Sequence, residues 1–526
     1  MQAPADTPSS ELASWTPPPR PHRRVLHGRF VRVEPLEAER HCDDLHAAFS
    51  ADPEHLRWEY RFQSGFATRA DLLAYLVSIE TSTAAYYGVY VDLTTGKAAG
   101  LGSLMSIDQL HGSIEIGAIM LAPSLSRTAA GTEALILQIR WAFSLGYRRV
   151  EWTCDPHNAA SMRAAQRLGF SFELTQRQRY ATKGRNRDKA CFAICDGAEW
   201  AAVDAQQRAW LEPTNFDDAG QQRQALSTLT APLLRCVAAA EPSAHSNANG
   251  QPSGAPLRQR RWSEDEDEVR WCAGWVTPPR PVRKTLSGEY VSCVPLTLEH
   301  AKPLGLAFNT MLDSPYALWD HLSDGPFPTR ESFNEWLGRQ SVSTDPLWFA
   351  LEVRGEECDA RGLAAFRCVD EAHGTIEVGP LIFGFGLART RAATEAVFLL
   401  LNWAFKHGYR RVVWQADAHH AASCNAAERH GFVLEGISRQ HRVIDKRTPI
   451  RDPHLPFSRD TAWYSMLDRE WWLIHHALYE WLGSYNFGPD GKQKERLESY
   501  RDRILARSDG GGGNGRRAHA KRTRDE

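Results

Sequence analysis

Along the front half of the chain the spacing of apolar and polar positions changes period repeatedly, and each change predicts an element. RFVRVEPL, from Arg29, reads as a strand, and the mixed run from Glu37 to Ser50 as a helix. YYGVYVD, TTGK and AAGLGSLMSI make a strand, a turn supplied by Gly96 and a second strand. SIEIGAIML is a further strand, ended at Pro123. AAGTEALILQIRWAFSLG places Leu135, Ile139, Ala142 and Phe143 on one helical face, and Gly146 stops the helix. The strand RRVEWTC, a helix from about Asn158 to Leu168, and strands near Phe170 and Lys189 complete the unit. Helices alternating with strands around a mainly antiparallel sheet predict an α/β or α+β class.

The same pattern then returns. TPPPRPHRRVLHGRFVRVEPL, from Thr16, is answered by VTPPRPVRKTLSGEYVSCVPL, from Val276, so the chain is a tandem duplication. The offset is 260 at Arg20 and Arg280, 262 at Gly117 and Gly379, and 272 at Asp188 and Asp460, the last step reflecting extra residues within TPIRDPHLPF. The long helix repeats with Val397, Leu401, Ala404, Phe405 and Gly408. Each copy is long enough to bury a core of its own. The expected organisation is a disordered start over 1–15, domains over 16–230 and 272–505, a flexible linker over 231–271 and a disordered tail over 506–526. The linker is polar and Pro/Gly-rich, then acidic in SEDEDE. The tail joins a glycine run to the basic RRAHAKRTR, a solvated end or a nuclear address.

Composition narrows the classes. With 62 Lys+Arg against 64 Asp+Glu the formal charge is -2, so no whole-chain field draws the protein to nucleic acid or to an anionic membrane, and neither partner is expected. No apolar run approaches the roughly 20 residues that span a bilayer, and the start lacks an apolar signal segment while carrying Asp6 and Glu11. Ten cysteines show no CxxC spacing, and the nearest pair, Cys191 and Cys195, reads as buried thiols in a strand. A reducing cytoplasm, or the nucleus, is the expected compartment, and no metal site is expected.

The informative stretch for chemistry runs from Ile114 to Phe143. Its loop SRTAAG, from Ser126, delivers backbone N–H groups to a helix start, where the dipole favours an anion such as a pyrophosphate. The alternative is an ordinary helix start with small residues for packing. IEIGAIMLAPSLSRTAAGTEALILQIRWAFSLGYRRVEWTCDPHNAASMRAAQRLGF, and IEVGPLIFGFGLARTRAATEAVFLLLNWAFKHGYRRVVWQADAHHAASCNAAERHGF after it, resemble the acetyl-CoA-binding region of the GNAT superfamily of N-acetyltransferases. Within it they are most similar to the RimJ/RimL-like ribosomal-protein N-terminal acetyltransferases, through RTxxxTEA, LGYRRVEW, NxxS and LGF in fixed order. The resemblance implies two tandem GNAT domains, each a mixed, mainly antiparallel twisted sheet flanked by helices, able to pair as an intramolecular pseudo-dimer. It implies acetyl-CoA as cofactor and an amine acceptor, preferably a protein or peptide N-terminus, with a small amine as the other choice.

Carried onto these residues, the family's pyrophosphate loop falls on Ser126, Arg127, Thr128, Ala129, Ala130, Gly131 and Thr132, and on Ala388 to Ala393 with Thr394 in the second copy. Neither copy keeps the family's pattern of glycines intact. Arg389 and Arg391 are basic there, and Arg391 either reaches a phosphate or points to water. Asn158 matches the residue that holds the pantetheine arm, and also suits a helix cap; the second copy has His420. Ser161 and Ser423 follow at the family's spacing, as ligands or caps. The tyrosine that many members use as acid is replaced by Ala165 and Ala427, so water is expected to protonate the leaving thiolate. N–H groups around Met120 and Leu121, or Ile382 and Phe383, are expected to receive the oxyanion.

An attacking amine must shed a proton, and Glu115 and Glu377, in IEIG and IEVG, are the best bases available. By strand alternation Glu115 shares a face with Gly117, Ile119 and Leu121; the competing role is an ion pair or a solvated face. His111 and His373 are the second choice, unless they are structural turn residues. Arg185, Arg187 and Asp188 precede the last strand, where the family's loop borders the acceptor cleft, and steer substrate or form a charged turn. Trp141, Trp403, Trp200 and Trp472 recur between copies and read as core. The expected activity is acetyl transfer to a primary amine in a ternary complex, with the first copy better equipped; a non-catalytic binding or scaffold role for one or both copies is the alternative.

Overall fold

The computed structural model describes residues 12, 15–51, 60, 65–218, 220–235, 274–308, 316–319, 321–322, 324–355, 359–444 and 457–510. In the first copy β1 (Leu26–His27), β2 (Val31–Pro35), β3 (Tyr86–Asp92), β4 (Ala98–Asp108), β5 (Ser113–Leu121), β6 (Arg149–Cys154), β7 (Ser171–Thr182) and β8 (Arg185–Cys195) form the strands. The second copy repeats them as β9 (Leu286–Ser287), β10 (Val291–Pro295), β11 (Leu347–Val353), β12 (Asp359–Asp370), β13 (Thr375–Phe383), β14 (Arg411–Asp417), β15 (Val433–Ile444) and β16 (Phe457–Leu467). All neighbours within a copy are antiparallel except β5 with β6 and β13 with β14.

The helix Ala129–Ser144 lies under this sheet. Residues from Ala134 to Ala142 are buried on nearly every side of it, including Gln138, which accepts the Tyr90 hydroxyl at 2.6 Å. Phe143 stacks on Trp200 at 4.2 Å, and Phe405 on Trp471 at 5.0 Å. The partner of Trp200 in the second copy is therefore Trp471, not Trp472, which is 61% exposed. Cys191 and Cys195 are buried free thiols.

The two copies make one sheet. Its order is β1-β2-β3-β4-β5-β6-β8-β7-β15-β16-β14-β13-β12-β11-β10-β9, a palindrome with the seam between β7 and β15. At the seam Leu174 faces Gly436, its own counterpart, and a Cβ on Gly436 would come within 2.2 Å of the Glu173 carbonyl. Only glycine lets the two backbones approach so closely. Beside the seam, Glu173 receives a bidentate pair from Arg149 of its own copy (2.9 and 2.6 Å) and a bond from Arg439 of the other (3.0 Å). Glu435 is held in the same way by Arg411 (2.5 and 2.6 Å) and the Arg177 main chain (2.8 Å). Arg177 continues to Glu470, and Arg439 to Glu199. Burial opposes the charge on Arg149, yet Glu173 and Glu151 more than offset it and hold its pKa well above the ordinary value.

The edges of the two units differ from the expected boundaries. Leu12 is buried and Trp15 donates its indole N–H to Gly146 at 3.1 Å, inside the stretch expected to be disordered. Residues 231–235 pack on the first copy, Arg235 donating its main-chain N–H to Ser171 at 3.0 Å, and the helix Leu497–Gly510 extends past the expected end of the second. The rest of the expected linker and tail, and nearly all of TPIRDPHLPF, lie outside the described residues.

Candidate active site

Strands β5 and β6 begin as partners and then part. Parallel pairing covers only Ser113 with Arg149, Ile114 with Val150 and Glu115 with Glu151, although β5 runs on to Leu121 and β6 to Cys154. The second copy repeats this, pairing ending at Glu377 with Val413. A V-shaped opening between two parallel strands follows, with Glu115 and Glu377 at its apex.

A bulge decides which side chains share that apex. The β4–β5 register shifts between Leu101 and Ser103, opposite Met120 and Gly117, and Ala118 takes φ 51. The inserted residue reverses the alternation beyond it, so Met120, rather than Ile119 or Leu121, shares a face with Glu115. A second irregularity gives Ser106 φ 49 and turns its hydroxyl to Glu115 at 2.9 Å; Thr153 of β6 donates to the other oxygen at 2.6 Å. Burial opposes the charge on Lys189, yet Glu115 acts on it favourably and its pKa is raised. Glu115 is thus a buried carboxylate held by two hydroxyls near one ammonium. Neither Ser106, Thr153 nor Lys189 was expected from the sequence. Thr153 and Lys189 follow from strand period once the pairing of β5, β6 and β8 is known, whereas Ser106 depends on the bulge.

In the second copy the same carboxylate is differently bound. Glu377 is ion-paired to Arg367 at 2.5 Å and accepts from Gln415 at 2.8 Å, Arg367 standing where the first copy has Met105 and Gln415 where it has Thr153. Pro380 replaces Ala118 in the bulge and has no N–H to donate. His321 stacks on His420 at 4.1 Å and binds Asp417 at 3.0 Å. Burial, together with the charge of His321, lowers the pKa of His420 to about 4. The position of Asn158 is therefore occupied in the second copy by a neutral imidazole pressed against another ring.

The loop before each long helix has one shape in both copies. Arg127 and Arg389 are left-handed, with φ 62 and 63. Thr128 caps the helix by accepting from Gly131 N–H at 3.0 Å, as Thr390 does from Ala393 at 3.2 Å. Gly131 and Ala393 thus spend their N–H groups on the cap, while those of Arg127, Ala129 and Ala130 meet no protein acceptor among the described residues. Gly131 is also needed for packing, since a Cβ would lie 2.2 Å from the Leu125 carbonyl. Ser126 donates to Ala122 at 3.0 Å, and the hydroxyls of Thr132 and Thr394 turn back on the Thr128 and Thr390 carbonyls. Glu133 of the TEA motif is structural: it accepts the N–H groups of Arg29, Phe30 and Val31 at 2.8, 2.6 and 3.2 Å, and Glu395 does the same for its copy.

Other expected residues lie elsewhere. Arg391 is partly buried and held by groups of its own copy. Its guanidinium sits 3.6 Å from the Tyr290 ring and 4.2 Å from the Phe487 ring and donates to the Leu482 carbonyl, an arrangement worth about 2 kcal/mol when desolvated. Asn158 caps its helix through Ser161 N–H at 3.0 Å, while the Ser161 and Ser423 hydroxyls accept from Trp152 and Trp414, each at 3.0 Å. Ala165 and Ala427 are fully buried. Met120 and Ile382 face Leu101 and Leu363 in their ladders, and Leu121 and Phe383 close the strands beside Gly100 and Gly362.

His111 and His373 belong to the seam: Val443 donates to His111 and Ala181 to His373, both at 3.3 Å, across the copies. Burial lowers the pKa of His111. Asp188 accepts Gln178 N–H at 2.7 Å among Glu435, Arg411 and Arg177, facing the seam rather than a cleft, and burial raises its pKa. Arg185 lies at the exposed tip of the β7–β8 hairpin, which reaches the other copy. Only Arg187 stays near its own opening, 3.4 Å from Asp155.

A model of the acetyltransferase (GNAT) domain matches residues 31–171 and again 293–433, together more than half of the chain. Among solved structures, a GCN5-related N-acetyltransferase from Brucella melitensis is 44% identical over 42% of this chain and all of its own (TM-score 0.41). A probable GNAT acetyltransferase from Chromobacterium violaceum is 38% identical over 38% of this chain and 93% of its own (TM-score 0.33). A ribosomal-protein-S5-alanine acetyltransferase from Vibrio fischeri is 19% identical over 33% of this chain and 98% of its own (TM-score 0.29). No curated protein matches. With the domain present twice and both copies keeping the parted strands, this chain belongs to the GNAT family of acetyltransferases.

Proposed function

We propose that the first copy transfers acetyl from acetyl-CoA to a primary amine, preferably the N-terminus of a protein or peptide, and that the second copy serves as its fixed partner without transferring acetyl. The observation that carries this reading is the trio of N–H groups at Arg127, Ala129 and Ala130, without protein acceptors at the start of a 16-residue helix that follows β5. A helix start of that kind suits a diphosphate. Acetyl-CoA supplies the activated acyl group when bound. Glu115 takes up, through a water, the proton the amine sheds as its nitrogen bonds to the carbonyl carbon. The C–S bond then breaks, and water protonates the thiolate, since Ala165 offers no acid. The hydroxyls of Ser106 and Thr153 hold Glu115 oriented, beside the Lys189 ammonium. An α-amino acceptor, with a reference pKa of roughly 8 against 10.4 for lysine, asks least of such a base; the preference for a protein N-terminus rests on the sequence resemblance alone.

The second copy is assigned a supporting role because Glu377 is locked by Arg367, Pro380 removes a donor, and His321 fills the place beside His420. Ala129→Pro tests the leading reading. Position 129 opens the helix after an extended Thr128 (ψ 165), a setting proline fits, so the variant loses one N–H and keeps the fold. Acetyl-CoA affinity by calorimetry is expected to fall about tenfold, the worth of one charge-assisted bond. Unchanged affinity with an unchanged melting temperature overturns the phosphate site.

A further inference from the structure

The opening of the second copy carries three guanidinium groups, where that of the first has Arg187 and the Lys189 ammonium. Arg442 and Arg459 stand directly opposite one another in the β15–β16 ladder, where like charges repel. The same positions in the first copy hold Tyr180 and Arg187. Arg367, on β12, adds a third guanidinium in place of Met105. Arg367 acts on Arg442 more strongly than Glu377 does, and Asp108 of the first copy more weakly than either. Glu377 and Asp417 offset two of the three charges; the imidazoles of His111, His420 and His441 are depressed toward the neutral form.

Hydrogen bonding leaves the same excess. Arg367 uses Nη2 on Glu377, and among the described residues the Arg459 side chain reaches only the His321 carbonyl, at 3.4 Å. Among the described residues the buried Nε–H groups of Arg367 and Arg459 have no acceptor, and Arg442 donates to none. Arg367 nevertheless keeps 23% of its side chain exposed, and Arg442 and Arg459 are partly exposed, so the cluster is reachable from solvent. Burial and the neighbouring arginines bring the pKa of Arg459 down to about 10 despite Asp417.

We infer that Arg367, Arg442 and Arg459 form a binding site for a small oxyanion, a phosphate or carboxylate group, in the second copy. Guanidinium forks match the oxygen pairs of such groups, and a bound anion converts a repelling cross-strand pair into a bridged one. The site uses residues the acetyl-transfer reading does not, and stands apart from it.

Calorimetry and thermal unfolding of the full chain, with inorganic phosphate and with succinate at constant ionic strength against chloride, test this. Saturable binding and a rise in melting temperature are expected with at least one anion. Arg442→Tyr, restoring the residue of the first copy, should weaken binding at least tenfold, and Arg442→Lys only a few-fold. The response should persist in Ala129→Pro, which separates this site from the first copy's loop. No saturable binding of either anion, or binding indifferent to Arg442→Tyr in a folded variant, overturns the proposal. A melting temperature raised by Arg442→Tyr, with no anion response in the parent, marks the cluster as an uncompensated structural repulsion and overturns it equally.

Discussion

Two glutamates of the first copy, Glu115 and Glu133, show how far environment rather than residue type decides a role. Both are buried carboxylates in motifs that resemble the family. Glu133 accepts three main-chain N–H groups from the turn before β2, and a Cβ on Gly28 would meet its carboxyl at 2.5 Å, so it is walled in and serves as a brace. Among the described residues Glu115 accepts hydrogen bonds from two hydroxyls, which rotate and exchange bonds with water at little cost, beside the Lys189 ammonium, and it stands where β5 and β6 part. Glu115→Gln keeps the shape and the ability to accept from Thr153, but removes the base. The expected outcome is a fall in kcat of about 10²-fold, the usual worth of a general base, with KM for acetyl-CoA unchanged and with the loss reduced at high pH as the amine deprotonates unaided. A thiol-release assay over pH reads both effects, and a variant with full activity removes Glu115 from the mechanism.

At the scale of elements, the second copy carries histidines at both ends of one helix and in one strand where the first has none. His420 and His430 replace Asn158 and Leu168, and burial lowers each pKa to about 4; His441 is lowered well below its usual value. Each is neutral when folded and binds a proton more readily when unfolded. Their contribution is therefore intact above about pH 6.5 and is lost as pH falls toward 4, because the unfolded chain then holds the extra protons. For fully buried His430 this corresponds to about 3 kcal/mol at the acid end. Hydrogen exchange on the full chain is expected to show the helix Ala421–Arg429 and its surroundings losing protection between pH 6.5 and 4, ahead of the matching helix Ala159–Arg167. Equal loss in both helices contradicts that account. Strands and the long helices were legible in the sequence because their apolar periods are strong, and Glu115 because it sits in one of those strands. The left-handed residues Ser106 and Ala118 were not legible, since a bulge leaves no mark on a period until its partner strand is known. Arg391 misled for a related reason: the rings of Tyr290 and Phe487 that capture it lie about a hundred positions to either side.

In the whole molecule the seam is where one copy depends on the other. Glu173 and Glu435 are wholly buried, and each is compensated by an arginine of its own copy and by contacts from the other. Such pairs add little over apolar packing while intact, yet losing one partner strands a charge at a cost of about 3–5 kcal/mol. Arg439→Ala leaves Glu173 with Arg149 and leaves Glu199 without its partner across the seam, and Arg177→Ala does the same to Glu435 and Glu470. The pair of substitutions therefore strikes the seam and spares the core of each copy. A protease site placed between residues 236 and 273 gives the measurement. After cleavage the two fragments of the parent chain are expected to elute together as a particle near the intact 59.1 kDa, held by the β7–β15 junction and these bridges. With Arg177→Ala and Arg439→Ala together they should separate, and any acetyl-transfer activity should fall with them if the second copy acts as the fixed partner of the first. Fragments that part in the parent, or stay joined in the double variant, show that the bridges do not hold the copies together.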